Sequence, residues 1–150
     1  MKKNLVVIFS IVMIVALLSV MFVACGEKEE AASYKDGVYE GRSLDHAADS
    51  DGVGSGYGVA TIEIKDNKII SCEFKMYELD GTLKDETYGS DLSKENRIKA
   101  QKAVQSAAKY AAALVESGSL NNGVEVISGA TISYNEFLEA VQDALNKAKE

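Results

Sequence analysis

The chain has 150 residues with 16 basic and 23 acidic side chains, a net charge of −7, one histidine, two cysteines and no proline. That length leaves room for one domain beyond any targeting segment. The acidic balance argues against nucleic acid or anionic lipid as a partner, because both are held through lysine and arginine.

Lys2 and Lys3 precede an apolar run from Leu5 to Ala24, broken only by Ser10 and Ser19 and followed by "VACGEKEE". A positive start, an apolar stretch and small residues before a break form the pattern of a secretory signal. The run is also about as long as a bilayer-spanning helix. Two readings follow. "FVAC" followed by glycine resembles the lipobox of bacterial lipoproteins, with Phe22 where leucine is usual, and makes Cys25 the lipid-carrying residue. Alternatively, residues 1–24 stay as a single-pass N-terminal anchor with the two lysines on the cytoplasmic side. Either way, residues 26–150 are expected at the outer face of the cell membrane, on a tether. Losing 1–24 removes two basic residues and no acids, which leaves 14 against 23, a net charge of −9 that favours solubility. If Cys25 is lipidated, Cys72 alone remains, and neither an internal disulfide nor a thiolate metal site can form.

Residues 25–36 read as a short solvated tether and 37–150 as the domain. Val38 and Tyr39 begin a strand, which gives way to a long loop rich in glycine and aspartate. In "GVATIEIKDNKIISCEFKMYEL", Ala60, Ile62 and Ile64 alternate with polar residues, and after Asp66-Asn67 so do Ile70, Cys72, Phe74 and Met76. That pattern predicts a hairpin with one buried face, turned by two residues that tolerate left-handed backbone, with Cys72 in the core. After a polar loop at 80–91, a helix is expected over 94–116, with Ser93 as N-cap and Gly118 as its stop. Its apolar stripe is Val104, Ala107, Ala108, Ala111, Leu114 and Val115. A short strand at 124–127 leads to a final helix whose buried face carries Phe137, Leu138, Val141, Leu145 and Ala148. The inventory predicts an α+β domain, a small antiparallel sheet with two packing helices.

Few residues invite conventional catalysis. His46 stands alone, which argues against a transition-metal site and leaves a solvated loop residue as the default. Asp49, Asp51 and Gly54 match three positions of an EF-hand loop, but Val53 and Ala60 fall where oxygen ligands are required. No placement of the glycines gives a dinucleotide-binding G-x-G-x-x-G. A Ser-His-acid arrangement would have to use His46, without a nucleophile elbow.

What remains is "VEVISGATISYNEFLEAV", 124–141. Ser133 and Glu136 form an S-x-x-E capping box, which predicts a helix beginning just after Thr131. A helix start presents free N–H groups and the positive end of its dipole, suited to a phosphate. Gly129 and Ala130 keep side-chain bulk away from the Thr131 hydroxyl. "SGAT" before a helix resembles the flavinylation signature of the FMN-binding domain family, which includes the C subunit of the sodium-translocating NADH:quinone reductase and the G subunit of the Rnf complex. At roughly 7% usage per residue, the tetrapeptide would arise by chance in well under about 1% of chains this long. "YKDGVYEG", the hairpin and the alanine-rich helix extend the similarity from about Tyr34 to Lys147.

The resemblance implies FMN joined to Thr131 through a phosphoester bond, installed by a dedicated flavin transferase. In that family an aspartate stands six residues before the threonine. Glu125 fills the position here, one methylene longer, and would aid recognition by the transferase. Ser128, Gly129 and Ala130 would form the attachment loop, with the helix start at Ser133 stabilising the phosphate. The 54–58 loop and Tyr57 are candidates for the flavin ring on backbone freedom and aromatic character. The function implied is electron relay between a membrane quinone-linked reductase as donor and an extracellular acceptor or partner reductase. Two alternatives stay open: a non-redox ligand-binding or sensory lipoprotein, and a flavin-dependent reductase acting on a small extracellular acceptor.

Overall fold

A computed structural model describes residues 33–118, 120 and 123–149. The signal or anchor expected at 1–24, Cys25 and the first residues of the tether lie outside the described residues. Among those described, no helix is long and apolar enough to cross a membrane.

Strands β1 (Gly37–Arg42), β2 (Tyr57–Lys65) and β3 (Lys68–Tyr77) form an antiparallel sheet in the order β1-β2-β3. Helices α1 (Lys94–Ser117) and α2 (Thr131–Ala148) pack against its apolar face, which gives the expected α+β architecture. Asp66 and Asn67 turn the hairpin with φ of 50° and 59°, the pair of left-handed residues that matches strand twist. Both are tied to the start of the domain: Asn67 Oδ1 accepts from the Tyr34 N–H, and the Asp66 N–H donates to Asp36 Oδ1.

The register of β3 departs from simple alternation. Ile62 faces Cys72, but beyond Glu63 a bulge brings Ile64 opposite Ile69. One extra residue on a strand turns the alternation over. Ile69 is therefore the buried residue, and Ile70, expected on the inner face, is 46% exposed.

Helix α1 ends as expected. Ser93 accepts from the Asn96 N–H, and Gly118, left-handed at φ 65°, donates to the Leu114 carbonyl. Its buried face is rotated from the alanine stripe. Ala100, Tyr110, Ala111 and Leu114 are buried, whereas Ala108 and Val115 face outward. The bulk comes from Tyr110, whose ring stacks on Phe137 at 5.6 Å; Phe137 in turn meets Phe74 edge-on at 5.1 Å. Full burial of one such side chain contributes about 1.5–3 kcal/mol.

Helix α2 carries its buried face as expected, with Phe137, Val141, Leu145 and Ala148 inside and Leu138 half-buried. It lies directly on β1. A Cβ at Gly41 would overlap the Ala140 carbonyl and the Ala144 amide, so only glycine lets the two backbones approach this closely. Residues 124–127, expected as a strand, pair with no strand among the described residues. Their polar backbone is taken up by tyrosines instead: Tyr134 donates to the Val124 carbonyl, and the Ile127 N–H donates to Tyr110.

Candidate functional site

The small-residue motif folds as a tight turn at the mouth of α2. The Ala130 N–H donates to the Ile127 carbonyl at 2.9 Å, and Gly129 supplies the φ of +80° that the third turn residue needs. Ala130 is the N-cap, and no side chain among the described residues caps the helix. The first-turn N–H groups have no partners within the helix. Thr131 is the first helical residue and is exposed.

The capping box is not formed. Because the helix starts at Thr131 itself, Ser133 is the third helical residue and Glu136 the sixth, both buried. Glu136 is too far along to reach back to the cap, and its carboxylate enters the core. Its Oε1 lies 3.6 Å from Lys84 Nζ, beyond hydrogen-bond length, and neither carboxylate oxygen has a hydrogen-bond partner among the described residues. Burial raises the Glu136 carboxyl above its ordinary range, opposed by the nearby Lys84. Burial likewise lowers the Lys84 ammonium, opposed by Glu136.

A cavity of about 280 Å³ opens beside the turn, with Gly129, Ala130, Thr131 and Ser133 on one wall and Gly54 and Lys99 opposite. Val53, Ala103 and Ile132 make its apolar surface. Gly54 is fixed from two sides: its N–H donates to Tyr88 Oη, and its carbonyl accepts from Lys84 Nζ at 3.4 Å. The preceding loop is held by Asp49, whose Oδ1 accepts the N–H groups of Asp51 and Val53. Those bonds, the one from Val53 foremost, hold the Asp49 carboxyl below its usual range. Lys99 pairs with Asp51 across this loop, and Lys102 places its Nζ over Gly129.

Of the residues singled out in the sequence, Gly129, Ala130, Thr131 and Ser133 meet at the cavity. Ser128 is exposed on the turn and Glu125 on the segment before it, and neither lines the cavity. Gly54 lines it, whereas Tyr57 points to the helix-free face of the sheet, stacked on Tyr77 at 5.4 Å with the Arg42 guanidinium 3.8 Å above its ring. His46 is not a freely solvated loop residue, because its Nε2 lies 3.1 Å from Glu139 Oε2. Lys99, Lys102 and Tyr110 escaped the sequence reading. The two lysines sit three apart on one face of α1, a spacing that periodicity alone treats as an ordinary solvated stripe.

An uncapped helix start, two ammonium groups and the Thr131 hydroxyl fit a phosphate monoester beside an apolar wall, with the Asp49 carboxylate on the same cavity opposing them. The class is thus a small α+β domain suited to anchoring a phosphorylated cofactor. Residues 52–146 match the FMN-binding domain family, and the chain belongs to that family. It is accordingly a flavoprotein with FMN as its cofactor. The fold is similar to that of the CPE2226 protein from Clostridium perfringens, known from a crystal structure, with a TM-score of 0.55 and 23% identity over 77% of this chain and 88% of that one. Among curated proteins, none matches this sequence.

Proposed function

We propose that this protein is a membrane-tethered electron carrier at the outer face of the cell, with FMN esterified to Thr131. The observation that carries the reading is the exposed Thr131 hydroxyl at the first position of an uncapped helix, on the wall of a cavity that Lys99 also lines. When bound, FMN supplies reversible electron chemistry. The residues of this chain bind and orient it. The α2 N-terminus and Lys99 and Lys102 face the phosphate, the 128–130 turn keeps the approach open, and Val53, Ala103 and Ile132 exclude water beside it. An ester bond suits a protein outside the cytoplasm. Free FMN is scarce there, and even a micromolar site, worth about 8 kcal/mol, would empty by dilution.

Attachment falls to a flavin transferase, with Glu125 in the position where the family keeps an acid. Electrons would come from a membrane quinone-linked reductase and pass to an extracellular acceptor or partner reductase. The tether is a lipid on Cys25 or the uncleaved 1–24 segment. Co-expression with a flavin transferase should give one covalent flavin per chain by intact mass and in-gel fluorescence, and Thr131→Ala should give none. Retention of covalent flavin by Thr131→Ala would overturn the assignment.

A further inference from the structure

We infer that Tyr110 is the positioning residue of the flavin-attachment turn, holding the Thr131 hydroxyl in the geometry from which the flavin is transferred. The inference rests on the Thr131 assignment above. One hydroxyl, on the rigid helix α1, spans both ends of the turn. Tyr110 Oη accepts the Ile127 N–H at 3.1 Å and donates to the Ala130 carbonyl at 3.2 Å. These are the two residues that the turn's own hydrogen bond joins. A phenol has one proton to give and lone pairs to accept with, and both capacities are used here.

The hydroxyl is well placed for this because its ring cannot move. Tyr110 is 1% exposed, stacked on Phe137 and tilted against Tyr134 at 5.5 Å. Tyr134 fastens the approach to the turn by donating to the Val124 carbonyl at 2.9 Å. Residues 124–130 have no strand partner among the described residues, so these two tyrosines supply the anchorage that a sheet edge would otherwise give. The two ends of the clamp are not equivalent. The Ala130 carbonyl also accepts the Tyr134 N–H within α2, whereas among the described residues the Ile127 N–H has Tyr110 alone as its partner. Removing the hydroxyl therefore releases the Ile127 end first. A hydroxyl awaiting group transfer gains from being held in one geometry, because a mobile turn must be ordered at each encounter with the transferase.

The test is Tyr110→Phe, which keeps the ring and removes the clamp. It should slow covalent flavin incorporation by about tenfold, the effect of losing roughly one hydrogen bond's worth of competent population. It should also speed amide exchange at Ile127 in the unmodified protein. The control is Val141→Ala, a core truncation outside the turn that lowers Tm at least as much and should be flavinylated at the wild-type rate. Wild-type kinetics in Tyr110→Phe, or equal slowing in both variants, would refute the inference. So would unprotected exchange at Ile127 in the wild-type protein, a measurement that needs no variant to fold. A covalent flavin on Thr131→Ala would instead overturn the attachment site, whatever Tyr110 does.

Discussion

At the scale of single residues, the least expected feature is a carboxylate in the core. Glu136 is fully buried, and its charge is offset chiefly by Lys84, itself buried. Separating such a pair costs about 3–5 kcal/mol because one charge is left uncompensated, whereas replacing both members with apolar groups is often neutral or stabilising. Lys84→Met should therefore lower Tm sharply near neutral pH, and Lys84→Met with Glu136→Leu should recover most of the loss. The pH dependence has a definite sign. Burial already raises the Glu136 carboxyl, and without Lys84 nothing nearby pulls it back as strongly. A folded state that holds its proton more tightly than the unfolded chain gains stability as pH falls. The gain runs from the raised folded value down to the ordinary carboxyl value of 4.5, where it is complete. Thermal melts of Lys84→Met between neutrality and pH 5 should show Tm rising with acid more steeply than in wild type. A flat profile would mean that Glu136 stays ionised in the folded variant across that range, as it is in the unfolded chain.

At the scale of elements, the parts set by local chemistry were legible and those set by packing were not. Asp66-Asn67 announced the hairpin turn, and Ser93 and Gly118 announced the ends of α1, because each of those residues solves a backbone problem in place. The bulge that exchanges Ile69 for Ile70 left no local sign, since either isoleucine suits an inner face. On α1, alanines occupy several faces at once, so periodicity could not choose among them. A tyrosine that serves as core and as hydrogen-bonding group decided the matter. At the site, "SGAT" was legible as a motif, but the capping box beside it misled, because S-x-x-E caps a helix only when the serine stands outside it. Gly41 belongs to the same group of packing facts. Gly41→Ala forces its new methyl into the α2 backbone, which cannot move aside as a side chain would. Overpacking typically costs about 1–3 kcal/mol, so the variant should unfold at lower denaturant with an unchanged m-value. Wild-type stability would mean that β1 and α2 can separate at little cost.

At the scale of the whole molecule, the charge balance and the site pull in opposite directions. Without residues 1–24 the domain carries −9, a field that repels a phosphorylated flavin at long range. Near Thr131, Lys99, Lys102 and the α2 N-terminus supply local attraction, set against the carboxylates of Asp49, which lines the cavity, and Asp51, which pairs with Lys99. Of the two lysines, Lys99 is engaged by Asp51, and Lys102 reaches over the turn itself. The net repulsion is long-range and the attraction local, so salt acts on both. At about 0.01 M salt the screening length is roughly 30 Å and the whole domain is felt; at about 1 M it is roughly 3 Å and only direct contacts survive. Lys102→Glu replaces an attractive charge with a repulsive one beside Thr131, the attachment residue we propose. Its initial rate of covalent flavin incorporation should fall by about tenfold at low salt, equivalent to about 1.4 kcal/mol, and approach the wild-type rate at high salt. In-gel fluorescence time courses at the two salt concentrations, with wild type in parallel, measure both limits. An equal loss in both would mean that Lys102 acts by direct contact with the transferase. No loss in either would leave Lys99 and the helix start as the charges that matter at Thr131.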